Sequence, residues 1–280
     1  MGVNILNINF EGKVRFYKLI NFSIANNIDI YALLQTALLK NALVTEEQKL
    51  LSNFIKSVRD KSKIFKSQLL QDVFASFIVG DLFDKTFLEF GATDGISLSN
   101  SYMLEKNLGW TGVLAEPSPQ WHAKLKNNRP NTKILTDCIW KSSGEKLDFF
   151  VSDVGILSTL VDFKHNDLSS MPNNTEAKIK NGKVVEVETV SINEVMETNF
   201  NGNSPSYVSI DTEGSEYEIL NSLDFEKYRP VVFTIEHNFT NLQNKIDAFM
   251  ISKGYTRVFR ELTSFDSWYV LNNAIPTQNE

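Results

Sequence analysis

The sequence predicts an α/β fold: a mostly parallel sheet with helices on both faces, closed by an antiparallel hairpin and preceded by a helical N-terminal segment. Three observations carry this reading. From residue 86 onward, short apolar runs alternate with helical stretches, the pattern of strands joined by crossover helices. Those apolar runs end repeatedly in glycines and acids. Two β-rich segments, 255–259 and 267–271, finish the pattern around a polar turn, as a hairpin does.

The elements follow in order. The first 70 residues read as helical. Asp29 is placed to cap a helix carrying Tyr31, Leu34, Leu38 and Leu39. Thr45-Glu46-Glu47-Gln48 has the spacing of a capping box, ahead of Leu50, Leu51, Phe54, Ile55 and Val58 at helical intervals. Residues 1–66 carry no chemical motif and read as a cap, an oligomerisation surface or a partner surface beside a main domain of residues 67–280. Within that domain, 86–90 is a buried strand followed by Gly91-Ala92-Thr93-Asp94-Gly95 and a helix over about 98–108. The strand 112–115 ends at Glu116-Pro117, and Ser118-Pro119 supplies a cap and a first-turn proline for a helix to about residue 127. A third strand, 133–136, ends at Asp137. Residues 146–151 and 184–190 alternate like edge strands, and 162–174 is a polar stretch that is either a surface loop or a substrate lid. Strand 207–211, a helix over about 215–220, strand 231–236 and a helix over 242–253 stopped by Gly254 lead into the hairpin.

Composition narrows the class. With 42% hydrophobic and 22% charged residues, the 280-residue chain has the make-up of a globule and not of a disordered or collagen-like one. No apolar run approaches the roughly 18 residues that cross a bilayer, and no secretory signal pattern is visible. The single cysteine, Cys138, cannot form an intramolecular disulfide, so a reducing, cytoplasmic setting is expected. His122, His165 and His237 stand far apart with no ligand-spaced Cys/His cluster, so no structural zinc site is expected. A net charge of −6 argues against a nucleic-acid partner. That charge is uneven: residues 1–70 balance at +5 and residues 71–280 at −11. The basic excess at Lys56, Arg59, Lys61, Lys63 and Lys66 reads as a solvated helix face and linker, or more sharply as a patch for an anionic membrane surface or a partner protein.

The strand ends carry the chemistry. In an open α/β sheet, ligands bind where strands end and helices begin, and here that edge holds Glu89, Asp94, Glu116, Asp137, Asp211, Glu213 and Glu236. A carboxylate 25 residues after the first glycine, Glu116 after Gly91, is suited to the two hydroxyls of a ribose. Gly91 and Gly95 lack the spacing of dinucleotide binders, and Asp94 sits badly beside a pyrophosphate. An acid in that loop suits a nucleoside with no phosphates and a cationic amino-acid tail, which describes S-adenosyl-L-methionine.

The run FLEFGATDGISLSNSYMLEKNLGWTGVLAEPSPQWHAKL at 87–125 resembles the FkbM family of S-adenosylmethionine-dependent methyltransferases. So do Ser67-Gln68-Leu69-Leu70-Gln71-Asp72, VETVSINEV at 187–195 and YVSIDTEGSEYEIL at 207–220. The likeness spans about 67–271 and leaves the first 60 residues out. It implies a Rossmann-like class I methyltransferase with a seven-stranded sheet. It places Glu89, Gly91, Asp94 and Gly95 along the cofactor, Glu116 on the ribose, and Pro117, Asp137, Cys138 and Ile139 about the adenine. It further implies that Asp211 faces cofactor or substrate, that Glu216 braces the following helix, and that Ser67 and Gln68 close over the cofactor. For a hydroxyl acceptor, His237 just past strand 231–236 and Asp211 are the rival general bases. Asp137, Asp211, Glu213 and Glu236 could gather a divalent metal, which the likeness does not demand, so none is expected. The expected reaction is O-methylation of a sugar hydroxyl in polysaccharide biosynthesis, on a surface glycan or its precursor, with a small secondary metabolite as the alternative acceptor. A homo-oligomer is compatible with the sequence. The competing readings are a nucleotide-dependent oxidoreductase, for which Tyr102 and Lys106 have the Y-x-x-x-K spacing, and a non-enzymatic scaffold.

Overall fold

The computed structural model describes residues 46–153, 155–164, 182–260 and 262–275. The helix expected around residues 31–39, His165 and most of the polar stretch 162–174 lie outside the described residues.

Helix α1 (Glu46–Lys61) stands where the capping-box spacing puts one, and its apolar face of Phe54, Ile55 and Val58 is buried. It lies on α2 (Gln71–Val79) and on the end of the chain: the Phe54 ring is 6.1 Å from Phe74, 5.1 Å from Phe259 and 5.8 Å from Trp268. A helix of this length is held by packing of one face more than by intrinsic propensity. Phe54, Ile55 and Val58 of α1 share one buried cluster with Phe74, Phe87, Phe259 and Trp268.

The main domain continues through β1 (Thr86–Phe90), α3 (Tyr102–Leu108), β2 (Thr111–Ala115), α4 (Pro119–Asn128), β3 (Lys133–Leu135), β4 (Cys138–Trp140), β5 (Lys146–Ser152), β6 (Thr159–Leu160), β7 (Gly182–Ser191) and α5 (Ile192–Asn199). It ends with β8 (Tyr207–Ile210), α6 (Glu216–Ser222), β9 (Val232–Glu236), α7 (Leu242–Ser252), β10 (Tyr255–Val258) and β11 (Asp266–Leu271). Seven strands form one sheet in the order β10-β11-β9-β8-β1-β2-β3. All pair in parallel except β11, which runs antiparallel to both β9 and β10. This is the Rossmann-like arrangement. The chain winds outward in opposite directions from β1 and β8, and that switch point is where an open sheet leaves a crevice.

Period-two alternation covers both faces of the sheet. Phe87, Val232, Trp268 and Val270 pack toward α1 and α2, whereas Leu88, Phe233, Ile235 and Tyr269 pack toward α5, α6 and α7. The structure departs from the sequence reading in two places. The third strand stops at Leu135, and Cys138–Trp140 leaves it to pair with β7 in a second sheet, β4-β7-β5-β6. Helix α3 starts at Tyr102 instead of near residue 98, because Glu89 binds the segment before it.

Candidate active site

A cleft of about 1180 Å³, counting the space open to solvent, lies over the carboxyl ends of β1, β2, β8 and β9. The turn after β1 makes its floor. Gly91 has φ 72°, and a Cβ there would stand 2.2 Å from the Asp211 carbonyl oxygen, so only glycine lets β1 and β8 close up beneath a ligand. Gly95 serves a different end. Its Cβ would strike Leu125 at 2.5 Å and Arg129 at 2.8 Å, so this glycine seats α4 against the turn and does not line the cleft.

Glu116, at the end of β2, is buried and faces the cleft. Its two oxygens accept from the backbone amides of Thr93 and Ser118, both at 2.8 Å. Burial pushes this carboxyl up to about 7 against those two bonds, with Asp211 adding to the rise. Pro117, Cys138 and Ile139 form the adjoining wall. Burial, followed by the charges of Glu116 and Asp137, pushes the Cys138 thiol up to about 12 and leaves it neutral.

Asp94 is held within the turn after β1. Asp94 accepts from the amides of Ile96 at 2.9 Å and Ser97 at 2.7 Å and pairs with Lys124 at 3.0 Å. Against partial burial, these bonds hold its carboxyl below the ordinary range. It ties off the turn, as an Asx side chain does, and neither it nor Asp137 lines the cleft. Glu89 does line the cleft, yet both its oxygens are engaged by Ser99 Oγ, the Asn100 amide and Ser101 Oγ. Burial raises its carboxyl even with Arg129 nearby. Arg129 is fully buried, paired with Glu105 and bonded to the Gly95 carbonyl, and it stiffens the same loop from behind.

The segment before β1 closes one side. Ser67 forms an isolated parallel bridge with Leu98. It is held in turn by Asp72, which takes the Ser67 hydroxyl at 2.5 Å and the Lys66 amide at 2.9 Å. Gln68 and Gln71 line the cleft beside it.

Residues 89–257, more than half of the chain, match the family described as the Methyltransferase FkbM domain. The chain belongs to the FkbM methyltransferase family. Among solved structures it is similar to an FkbM methyltransferase from Methylobacillus flagellatus KT, with 13% identity over 89% of this chain and 60% of that one and a TM-score of 0.42. It is also similar to an O-methyltransferase from Bacillus cereus in complex with SAH (11% identity, 81% of this chain, 91% of that one, TM-score 0.39). A third similar structure is the SAH-bound methyltransferase PaMTH1 from Podospora anserina (11%, 85% and 93%, TM-score 0.38). The chain thus spans about 60% of the length of the Methylobacillus methyltransferase. None of the curated proteins compared with it matches.

The far end of this FkbM cleft is acidic. Asp211, Glu213 and Glu236 each bring a carboxylate oxygen within 4.8 Å of the other two, which is ligand spacing for a cation. Burial and then the charges of Asp211, Glu213 and Glu216 push Glu236 well above the carboxylate range, and Asp211 is hydrogen-bonded to it. Glu216 points elsewhere: one of its oxygens accepts from the amides of Thr212 at 3.0 Å and Gly214 at 2.9 Å, bracing the turn into α6. Asp266 joins the cleft from the hairpin, opposite Glu236 in the ladder. Burial pushes it up to about 7 against bonds from Gln71, Ser267 and Trp268.

His237 and Asp211, the two candidate bases, separate here. Asp211 lines the cleft and His237 does not. The His237 Nδ1 accepts from the Phe239 amide at 3.1 Å, so Nε2 carries the proton and donates to the Asp266 carbonyl, also at 3.1 Å. Asn238 and Phe239 wrap the ring with positive φ of 47° and 56°. This histidine pins the end of β9 to the start of β11. His122 sits on α4, bonded to the Glu116 carbonyl at 2.8 Å. Asp266 is a cleft residue that no local motif marks, although the hairpin register puts it beside Glu236, and Asn100 is a cleft residue within the run 87–125 to which the sequence assigns no role.

Proposed function

We propose that this FkbM methyltransferase uses S-adenosyl-L-methionine to O-methylate a sugar hydroxyl, on a surface glycan or its precursor. The observation that supports the cofactor in this reading most is the acidic lining of the cleft. Among the described residues its lining holds Glu89, Glu116, Asp211, Glu213, Glu236 and Asp266 and no lysine, arginine or histidine. Such a wall repels the pyrophosphate that dinucleotide-binding folds seat at a helix N-terminus. It suits a nucleoside bearing a sulfonium and an ammonium. Tyr102 and Lys106, the residues of the oxidoreductase reading, do not line the cleft.

The residues fit that nucleoside. Glu116 takes the ribose hydroxyls, and Pro117, Cys138 and Ile139 flank the base. Gly91 lets the chain of the ligand lie against backbone. When bound, the cofactor supplies a methyl group already activated for displacement. The protein has to hold an acceptor hydroxyl in line and remove its proton. Asp211 is the residue for that proton: Glu236 keeps the proton of the hydrogen-bonded pair, and Asp211 receives the acceptor's at a carboxylate oxygen. A neutral polyol suits a cleft whose lining includes Gln68 and the exposed Leu98 and Ile156, which offer its hydroxyls an amide and its C–H faces an apolar surface.

The test is transfer of tritium from methyl-labelled S-adenosylmethionine to a panel of oligosaccharides, read as an alkali-stable ether. Label that appears only in an alkali-labile ester excludes the hydroxyl acceptor. Calorimetric binding of NAD without binding of S-adenosylhomocysteine excludes the cofactor.

A further inference from the structure

Asn100 stands in the loop between β1 and α3 and lines the cleft, only 7% exposed. Its backbone amide is fixed by Glu89 at 2.7 Å, and its Nδ2 donates to Ser209 Oγ at 2.9 Å. Its Oδ1 is buried and has no hydrogen-bond partner. Buried carbonyl oxygens are rarely left so, because an unpaired one retains the full cost of leaving water. The orientation of the amide is set by its surroundings. Ser209 Oγ accepts from Thr234 Oγ1 at 3.3 Å within the same cluster as the Tyr207 phenol, and the Asn100 amide nitrogen turns to it. That leaves Oδ1 as the atom waiting for a donor.

Position says what the donor is. Glu116, Pro117, Cys138 and Ile139 lie at the β2–β3 side of the cleft, whereas Ser209 and Asn100 lie at the β1–β8 side, across Gly91. A nucleoside with its ribose at Glu116 extends its 5′ substituent toward Asn100. The carboxylates about this corner, Glu89, Asp211 and Asp266, select a cationic donor over an anionic group. We infer that Asn100 Oδ1 receives the α-ammonium of the cofactor's amino-acid tail. This rests on the S-adenosylmethionine reading above and adds a specificity residue that discriminates the complete cofactor from its tail-less fragments.

The experiment is isothermal titration of the full chain and of Asn100→Ala with four probes. These are S-adenosylhomocysteine, its deaminated analogue, its decarboxylated analogue and 5′-methylthioadenosine. A charge-assisted bond lost on truncation weakens binding about 10-fold or more. Asn100→Ala should show that loss for S-adenosylhomocysteine and for the decarboxylated analogue, which both carry the amine. The deaminated analogue and methylthioadenosine should bind the variant within about twofold of the parent. Asn100→Asp keeps an acceptor oxygen and should retain S-adenosylhomocysteine, which separates a missing contact from a damaged loop. Equal losses for all four probes, no loss for any, or a loss confined to the carboxylate-bearing probes overturns the inference. A parent protein that binds NAD and none of the four overturns the cofactor reading itself.

Discussion

Glu116→Gln tests whether burial sets the ionisation of the cleft. Burial lifts this carboxyl from an ordinary 4.5 up to about 7 in the folded chain. A folded value above the unfolded one means that the native state binds more protons in that interval. Stability from this group is therefore complete below the unfolded value and is lost as pH rises through the folded one. At about 1.4 kcal/mol per unit, the interval amounts to about 3 kcal/mol by pH 8 and to about 1 kcal/mol at pH 5. Glutamine has no charge to lose, but it offers one oxygen to two amides, Thr93 and Ser118. One hydrogen bond worth about 1 kcal/mol goes with the substitution. The two effects nearly cancel at pH 5, and the variant should be about 2 kcal/mol more stable than its parent at pH 8. Urea denaturation of the ligand-free chain at both pH values reads the difference directly. Asp72 and Asp266, pushed up to about 6 and about 7, contribute the same sign of slope to both proteins and drop out of the comparison. A variant with the parent's pH slope refutes the reasoning, since Glu116 would then titrate alike in the folded and unfolded chain.

Three further outcomes are expected. Phe54→Ala should cost about 3 to 5 kcal/mol in urea denaturation, the range for emptying a ring from a packed core; a cost under about 1 kcal/mol would show that α1 is only loosely attached. Asp211→Asn should lower kcat by about 10²- to 10⁴-fold in steady-state assays, while His237→Gln, which can still donate to the Asp266 carbonyl, keeps most of it; the reverse order would restore the histidine as the base. Gly91→Ala, with φ 72° and a Cβ 2.2 Å from a backbone oxygen, should destabilise by more than about 1 kcal/mol and abolish S-adenosylhomocysteine binding in calorimetry; unchanged affinity would mean that the turn after β1 is not the floor of the site.

The parts legible in the sequence are those that depend on near neighbours. Strand β1, the glycine that follows it and Glu116 at the end of β2 all announce themselves within a few residues, because a buried strand, a left-handed turn and a capped helix each have a local signature. The capping-box spacing likewise marks α1. Strand β4 has no such signature: three residues, Cys138-Ile139-Trp140, are too few to show a period, and only β7, some fifty residues later, makes them a strand. Residues 98–101 read as the start of a helix by composition, yet the buried Glu89 carboxylate competes for Ser99, Asn100 and Ser101 and delays α3. His237 reads as a base in the sequence because it stands just past strand 231–236, at the cofactor edge of the sheet. The positive φ angles of Asn238 and Phe239, which no local pattern foretells, turn the backbone onto the ring. Asp266 and Gln71 meet across 195 positions, so their shared place in the cleft is a property of the fold alone.

The single bridge between Ser67 and Leu98 ties two distant regions into one thermodynamic cycle. Leu98 stands on the lip of the cleft, Ser67 hangs from Asp72 in the first turn of α2, and α2 presses Phe74 against Phe54 of α1. A molecule that settles in the cleft and draws Leu98 inward pulls on this chain of contacts. A filled cleft is then expected to slow amide exchange in α1, which hydrogen exchange with and without S-adenosylhomocysteine checks. Whatever coupling that measurement finds is reciprocal: a molecule held on the basic side of α1 would change the affinity of the cleft by the same factor.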